Sequence, residues 1–356
     1  MRTLIRPTGF VDSPFGHDGK VARLAGGLNW FASVELLAIE GGRRVSSELV
    51  PIEGIESRFD DAMASDWAAL TGTRAPLVLG SRTVHLDQPQ VMGIVNATPD
   101  SFSDGGLYAN AGAAVGAGSD MAAEGAAIID VGGESTRPGA KLVWEGDEAE
   151  RVVPVIKQLA ASGTAVSVDT RKATVMEAAI GAGARLVNDV SALTFDPRSA
   201  GVVAAAGVPV VLMHHQGAPE SMQDAPCYDD VLVEVYLWLE ERIAAAEAAG
   251  IDSSKILVDP GFGFGKSVAH NLELLNGLAL FHGLGCAIVL GASRKRTIGA
   301  LSNEAPVDRR LGGSLALALK GVDQGAQIVR VHDVFETVQA LRVWRGLKDA
   351  ALTPRV

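Results

Sequence analysis

The sequence has few cysteines, few aromatic residues and no surplus of basic residues. Two cysteines among 356 residues exclude a disulfide scaffold and a cysteine-rich zinc or iron–sulfur site. Acidic residues outnumber basic ones by 42 to 31, and the formal net charge of −11 argues against a general nucleic-acid-binding protein. Aromatic residues make up only 5% of the chain beside 41 glycines, which favours helices packed closely on a sheet over an all-β sandwich.

Long apolar segments are also missing. The N-terminal segment has no apolar run of signal-peptide length, and no stretch of about 18 uncharged apolar residues occurs anywhere. We therefore expect a cytoplasmic protein with no membrane partner and no nucleic-acid partner. The hydrophobic share of 47% is that of an ordinary globular protein, so most of the chain is expected to fold around a sizeable core.

From residue 91 onward, a short β-branched apolar run repeatedly ends in a polar residue or glycine, and an alanine-rich stretch follows. The runs cover residues 91–98, 127–133, 165–170, 186–191, 209–216, 256–264, 287–293 and 327–334. Runs of this kind are typical of strands buried on both faces. Between them, Val152, Val155 and Leu159 have the spacing of one helix face. Eight alternations predict an α/β fold of the (β/α)8 barrel type, with a doubly wound sheet as the alternative.

The first part of the chain, residues 1–87, fits this pattern less well. Residues 34–39 and 44–50 predict a hairpin through a Gly-Gly turn. Residues 73–90 resemble a lead-in segment that plugs the bottom of a barrel. We interpret residues 1–87 as an N-terminal extension, or a small separate domain, with no chemistry that we can identify, and residues 88–350 as the catalytic barrel.

Polar side chains cluster where the predicted strands end, which is where this fold places its functional residues. One group is neutral or acidic and consists of Asp130, Asp169, Asn188 and Asp259. Buried carboxylates need donors or cations. Facing one pocket, these groups suit the N–H-rich edge of a flat heterocycle such as a pterin or a purine. Taken singly, each could instead cap a turn or pair with a basic residue.

A second group is cationic and follows the second, seventh and eighth strands. It consists of Arg137, Arg294, Lys295, Arg330 and His332. An acidic protein that gathers this much positive charge at one rim is expected to bind an anion there. The loops after strands seven and eight are the customary phosphate site of the fold, and the arginine fork suits phosphate oxygens. Arg294 and Arg296, taken alone, could be ordinary surface charges.

The loops after the first two strands, residues 96–106 and 132–140, are rich in Gly, Ser, Pro and Asp. Such loops predict turns that close over a reactive site and exclude water. Asn96 and nearby carboxylates could hold a hard cation such as Mg²⁺, which takes oxygen ligands.

Residues 261–266, GFGFGK, lack the spacing of a phosphate-binding loop. We interpret them as a turn after strand six, with Phe262 and Phe264 forming an apolar wall. His214 and His215 are the nearest candidates for metal ligands, although packing and hydrogen bonding near a strand end is the expected role.

These motifs resemble those of the dihydropteroate synthase family. The resemblance is carried, in order along residues 88–347, by VMGIVNATPDSFSDGG, AAIIDVGGESTRPGA, VSVDT, VNDVSAL, VLMHHQG, ILVDPGFGFGK, LGASRKRTIG and IVRVHDV. It implies that 6-hydroxymethyl-7,8-dihydropterin diphosphate and 4-aminobenzoate condense to 7,8-dihydropteroate and diphosphate, with Mg²⁺. It further implies a homodimer and competition by sulfonamide-type analogues. The heterocycle pocket and the anion rim inferred from the residues agree with this reaction.

The resemblance also implies a role for each matching residue. The pterin would contact Asp130, Asp169, Asn188, Met213, Asp259, Lys295 and Arg330. The diphosphate would lie among Asn96, Thr136, Arg137, Arg330 and His332, with Asn96 as the protein's ligand to Mg²⁺. The aminobenzoate would contact Phe102, Pro138, Phe264 and Ser293. The catalytic roles would fall to Asp104, Arg137, Lys295 and His332, in a dissociative substitution at the pterin methylene.

Two other functions compete with this interpretation. A barrel that transfers a methyl group from a folate to a corrinoid would keep the carboxylate pocket but would not need the cationic rim. A homologue without activity would lack a residue such as Asn96, Arg137, Lys295 or His332. All four are present, so the synthase is favoured over both alternatives.

Overall fold

The structure is a computed structural model that describes residues 2–98, 106–135, 142–217 and 226–353. The chain begins with an antiparallel sheet of four strands, β1 (Arg2–Val11), β2 (Ala22–Arg23), β3 (Trp30–Glu40) and β4 (Arg43–Pro51). Strand β3 is central, because β1 pairs with one edge of it and both β2 and β4 pair with the other. The predicted hairpin is confirmed as β3 and β4, joined through Gly41 and Gly42 at positive φ. Sequence reasoning missed β1.

A short hairpin closes the bottom of the barrel. Helix α1 (Asp61–Thr71) is followed by strands β5 (Leu77–Leu79) and β6 (Arg82–Val84). Leu77, Leu79 and Val84 share one buried cluster with residues at the start of the barrel strands, among them Ile128 and Leu186. This segment therefore plugs the barrel, as the sequence predicted for residues 73–90.

Eight parallel strands then close into a barrel. They are β7 (Gln90–Asn96), β8 (Ile128–Gly132), β9 (Val166–Asp169), β10 (Leu186–Asp189), β11 (Val210–Met213), β12 (Ile256–Asp259), β13 (Ala287–Leu290) and β14 (Ile328–Val331). The last strand pairs with the first, with Val329 opposite Val91. This closure confirms the (β/α)8 barrel and rules out the doubly wound sheet. Each strand falls within one of the predicted apolar runs, except that β7 begins one residue before its run.

Helices follow the barrel strands and cover the outside of the barrel. They are α2 (Gly106–Glu124), α3 (Glu145–Ala161), α4 (Ala173–Ala182), α5 (Ser199–Ala206), α6 (Val231–Ala248), α7 (Val268–Asn276), α8 (Arg296–Leu301), α9 (Leu311–Asp323) and α10 (Val334–Leu352). Val152, Val155 and Leu159 of α3 are buried, as their spacing predicted. Within the described ranges, every helix is too short or too polar to cross a lipid bilayer.

The N-terminal sheet packs against the side of the barrel. Leu4, Leu37 and Ile39 belong to the same buried cluster as Tyr236 of α6 and Phe281. Two ion pairs flank this contact. The guanidinium of Arg2 donates two hydrogen bonds of 2.6 and 2.7 Å to Glu240, and that of Arg44 donates one of 2.6 Å to Asp230. The sheet thus shares its core with helix α6.

Candidate active site

An arginine on the last strand joins the carboxylates of two other strands in the mouth of the barrel. Arg330 of β14 donates from Nε to Asp130 Oδ2 at 2.6 Å and from Nη2 to Asp169 Oδ2 at 2.7 Å. Asn188 Nδ2 donates to the same oxygen of Asp130 at 3.0 Å. The structure therefore brings four of the residues assigned to the pterin together, and Arg330 holds two carboxylates side by side that would otherwise repel each other.

Burial sets the electrostatics of this group. Asp169 is only 8% exposed, and its burial raises the pKa of the carboxyl group, while the charge of Arg330 opposes the rise and that of Asp130 adds to it. Asp130 is fully buried, and its Oδ1 has no hydrogen-bond partner in the part of the chain that the structure describes. An acceptor without a donor is costly in such a place. The group is therefore suited to an N–H donor from a ligand.

The turn after β12 holds the fourth predicted acceptor. Asp259 Oδ1 accepts a hydrogen bond of 2.7 Å from the backbone N–H of Gly261, and burial raises the pKa of this carboxyl group. Gly261, Gly263 and Gly265 all have positive φ, at 71°, 84° and 61°. A Cβ atom at Gly261 would overlap the carbonyl oxygen of His214. The alternating glycines thus let the backbone lie directly on the end of β11.

The two phenylalanines of this turn have different environments. Phe264 is half-buried, and the Nζ atom of Lys295 lies 3.9 Å from the centroid of its ring, which is cation–π geometry. Phe262 is 1% exposed and belongs to the hydrophobic core. The predicted wall of two phenylalanines is therefore wrong for Phe262, because its side chain turns into the core. Met213, buried at the end of β11, lies opposite Asp259 in the sheet register.

Ser293 and His332 are in direct contact. Ser293 Oγ lies 3.0 Å from His332 Nδ1, and the backbone N–H of His332 donates to Ser293 Oγ at 3.2 Å. The sequence assigned these two residues to different substrates, the aminobenzoate and the diphosphate. Their contact places the two predicted subsites next to each other, at the ends of β13 and β14.

Arg294 does not belong to the cationic rim. Its guanidinium makes a bidentate pair with Asp333, and its carbonyl oxygen accepts a hydrogen bond of 3.0 Å from Arg310. Its backbone has a φ of 57°, which turns the chain between β13 and α8. Arg294 therefore holds a turn, and its assignment to the anion site is wrong. Arg296 is exposed on the first turn of α8.

The two histidines directly after β11 serve the fold. His214 is 5% exposed, its Nδ1 lies 2.9 Å from Lys266 Nζ, and burial lowers its pKa to about 2. His215 Nδ1 lies 3.2 Å from the carbonyl oxygen of Gly217. No group of three or more metal-ligating side chains occurs among the described residues. Hydrogen bonding and packing, the expected role, agree with these contacts.

Several residues assigned from the sequence cannot be placed. Asp104, Phe102, Thr136, Arg137 and Pro138 lie outside the described residues. Asn96 is described, and it is the half-buried last residue of β7.

Sequence reasoning missed a charged network beside this site. Lys172 Nζ donates to Glu148 Oε2 at 2.5 Å and to the carbonyl oxygen of Val143 at 2.7 Å. Glu134 Oε1 accepts a hydrogen bond of 2.9 Å from the backbone N–H of Val143. The available signal was a pair of opposite charges, Glu134 and Lys172, directly after two neighbouring strands.

Sequence comparison identifies the family. Residues 92–332 match the family model described as "Pterin binding enzyme". The dihydropteroate synthase of Escherichia coli K12 is 49% identical over 262 residues, which cover 73% of this chain and 92% of that protein. The chain belongs to the dihydropteroate synthase family. It is therefore a pterin-binding transferase of folate biosynthesis, and both competing functions are set aside.

Solved structures of dihydropteroate synthases agree. That of Xanthomonas albilineans with 4-aminobenzoic acid is 50% identical, with a TM-score of 0.73, and the match covers 78% of this chain and 99% of that one. The Xanthomonas enzyme in complex with 7,8-dihydropteroate is 47% identical, with a TM-score of 0.71, and covers 77% of this chain and 99% of its own. About a fifth of the present chain therefore has no counterpart in these two structures.

Proposed function

We propose that this chain joins 6-hydroxymethyl-7,8-dihydropterin diphosphate to 4-aminobenzoate, with 7,8-dihydropteroate and diphosphate as products. One observation carries the proposal. The mouth of a single barrel holds the acceptor group around Asp130 and Asp169. After β12, β13 and β14 it also holds two contacting pairs, Lys295 with Phe264 and Ser293 with His332. The Xanthomonas relatives bind 4-aminobenzoic acid and 7,8-dihydropteroate. This division of the site would give each substrate its own subsite, which supports the proposal.

The acceptor group would bind the pterin. The pterin ring presents N–H donors along one edge, and Asp130 Oδ1 is a buried acceptor that needs one. Asn188 on β10 and Asp259 at the end of β12 extend the same polar surface. Arg330 keeps the carboxylates in place and contributes positive charge next to the ring.

The reaction would be a dissociative substitution. The bond between the pterin methylene carbon and the diphosphate oxygen breaks, and its electron pair leaves with diphosphate. The lone pair of the aminobenzoate nitrogen then forms the new C–N bond, and the nitrogen releases a proton to solvent. Positive groups placed where charge develops give the largest share of such catalysis. We assign this role to Arg330, His332 and Lys295, with Arg137 and Asp104 acting as the resemblance implies.

Mg²⁺ would enter with the diphosphate. Asn96 supplies one side-chain oxygen at the end of β7. Mg²⁺ commonly uses one or two protein oxygens, with phosphate oxygens and water filling the remaining positions, so this donor set fits a metal that arrives with its substrate. When bound, the ion would neutralise charge on the departing diphosphate.

A homodimer is proposed on the basis of helix α10. Phe335, Val343 and Leu347 lie on one face of it at helical spacing and are 55%, 62% and 68% exposed. Exposed apolar faces of this kind mark interaction sites. We also propose a cytoplasmic location and competition by sulfonamides for the aminobenzoate site. Sedimentation would test the dimer, and inhibition assays would test the competition.

The decisive experiment supplies the purified protein with both substrates and Mg²⁺ and follows dihydropteroate by mass spectrometry. We expect product that requires both substrates. A protein that binds the pterin diphosphate but forms no dihydropteroate would contradict the proposal.

A further inference from the structure

A fully enclosed lysine lies beneath the turn that carries Asp259 and Phe264. Lys266 is 2% exposed, and its Nζ atom lies within 3.0 Å of three polar atoms on two segments of the chain. Two are the carbonyl oxygens of Gly261 and Phe264, both 3.0 Å away, and the third is His214 Nδ1 at 2.9 Å. This lysine therefore links the turn after β12 to the end of β11.

We propose that Lys266 is a positioning residue for the synthase reaction. It holds the turn after β12 on strand β11, so that Phe264 and Asp259 face the two substrates. The inference rests on the proposed function of those two residues, and it adds a residue that touches neither substrate. The contact with the carbonyl oxygen of Phe264 is decisive, because it fixes the backbone of the residue whose ring faces Lys295.

A second contact holds the same turn from the loop after β11. Tyr228 Oη donates a hydrogen bond of 2.9 Å to the carbonyl oxygen of Gly265. Its ring lies 5.9 Å from Lys266 Nζ and 5.0 Å from the ring of His270 on helix α7. Three carbonyl oxygens of the turn therefore accept hydrogen bonds from side chains. Lys266 donates to Gly261 and Phe264, and Tyr228 donates to Gly265.

The contacts of Lys266 suit either protonation state. Among the described residues, the charged and ionisable groups that face it include Asp259, Lys295, His214, His215 and Tyr228, and the ring of His270 contacts that of Tyr228. Burial lowers the pKa of Lys266 to about 7, with Lys295 also lowering it and Asp259 opposing the shift. An ammonium group donates to all three acceptors. A neutral amine still donates to both carbonyl oxygens, while the neutral ring of His214 donates from Nδ1 to the amine lone pair.

The substitution Lys266→Met tests the proposal, because it keeps the aliphatic length and removes every donor. We expect the KM for aminobenzoate to rise about tenfold, the effect of losing a buried hydrogen-bond donor, while kcat falls less. Lys255→Met is the matched control, since Lys255 precedes the same strand at its far end and its Nζ donates to the carbonyl oxygen of Gly207. An unchanged KM in a folded Lys266→Met protein would overturn the proposal, whereas absence of turnover in the wild-type protein would overturn the proposed function instead.

Two measurements remain decisive if Lys266→Met does not fold. Tyr228→Phe removes only the donor to Gly265, and we expect a smaller rise in the same KM; no rise would contradict the proposal. Nitrogen-15 NMR of histidine in the wild-type protein should show a neutral His214 ring whose Nδ1 is hydrogen-bonded, either as an acceptor from the ammonium group of Lys266 or as a donor to its neutral amine. An Nδ1 with the chemical shift of a ring nitrogen that makes no hydrogen bond would show that Lys266 does not make the contact on which the inference depends.

Discussion

At the scale of single residues, Arg330 has two roles, because it holds two carboxylates in place and also carries a positive charge beside the site. Arg330 is assigned to both the pterin and the diphosphate, and its hydrogen bonds in the structure go to Asp130 and Asp169. Burial of this guanidinium lowers its pKa, and the two carboxylates more than compensate, so it remains charged. Its positive charge therefore reaches a neighbouring anion through space while its donors hold the acceptor group together.

Asp169 gives the first prediction. Replacing it by alanine removes an acceptor for the pterin and leaves Arg330 with one carboxylate fewer. We expect the affinity for the pterin diphosphate to fall by a factor of about 5 to 150, since an unpaired buried polar group costs about 1–3 kcal/mol. Calorimetric titration measures this, with Asp349→Ala as the control because Asp349 pairs with Arg345 on the exposed side of α10. Equal affinity in the Asp169 variant and the wild type would refute the assignment.

Lys266 gives a second prediction, on stability and pH. Its pKa is lowered to about 7 in the folded state and returns to its ordinary value near 10.5 on unfolding. Between these values the unfolded chain binds one more proton than the folded chain, so the stability that depends on Lys266 rises with pH. The slope is at most about 1.4 kcal/mol per pH unit. Urea unfolding measures the free energy of unfolding of the wild type and of Lys266→Met. The value for the wild type minus that for the variant should be larger at pH 9 than at pH 7. A constant difference would mean that the buried lysine keeps its ordinary pKa.

At the scale of elements, the turn after β12 is the most demanding piece of backbone near the site. Gly261→Ala introduces a side chain at positive φ that also overlaps the carbonyl oxygen of His214. Gly163→Ala is the matched control, because Gly163 also has positive φ but nothing lies near its absent Cβ. We expect both to lose stability and only Gly261→Ala to lose pterin binding, by a factor above about ten. Similar binding in the two variants would show that the close approach to β11 has no role in the site.

The elements also show why the sequence predicted some features and missed others. The barrel strands were predictable, because strands buried on both faces have sequences that are unbroken apolar runs. Strand β1 was not, since residues 2–11 mix polar and apolar residues and its partner β3 begins nearly 20 residues later in the chain. The polar side chains at strand ends were also predictable from their position. Their partners were not: the pairs of Arg294 with Asp333 and Lys266 with His214 join residues 39 and 52 positions apart.

At the scale of the whole molecule, the N-terminal part of the chain is built into the barrel at several points. Arg74 is 9% exposed and donates to the carbonyl oxygens of Cys286 and His282 at 3.1 and 3.0 Å. Leu77 and Leu79 plug the barrel, so they belong with it structurally. Leu4 and Leu37 share the core of helix α6. A truncated protein that is meant to keep the barrel intact should therefore begin before Arg74.

The last prediction concerns the tip of the N-terminal hairpin, which reaches the start of helix α6. Arg44 Nε donates to Asp230 Oδ2 at 2.6 Å, while Asp230 Oδ1 caps the helix by accepting from the N–H groups of Leu232 and Val233. Both partners are mostly buried, at 26% and 14% side-chain exposure. We expect Arg44→Ala to lower the free energy of unfolding by about 1 kcal/mol, since the pair is more enclosed than an ordinary surface pair. Amide exchange at the start of α6 should become faster.

The control for Arg44 is Arg58, which follows the sheet and pairs with Glu48 of strand β4. Arg58 pairs with Glu48 in an exposed position, so Arg58→Ala should leave both stability and exchange at α6 unchanged. Asp230→Asn keeps the oxygen that caps the helix but weakens the partner of Arg44, so the double variant Arg44→Ala, Asp230→Asn should be less destabilised than the sum of the two single variants. Additive effects would mean that the hairpin and the helix are stabilised independently. A positive coupling would show that the N-terminal hairpin supports a helix that begins beside the barrel mouth.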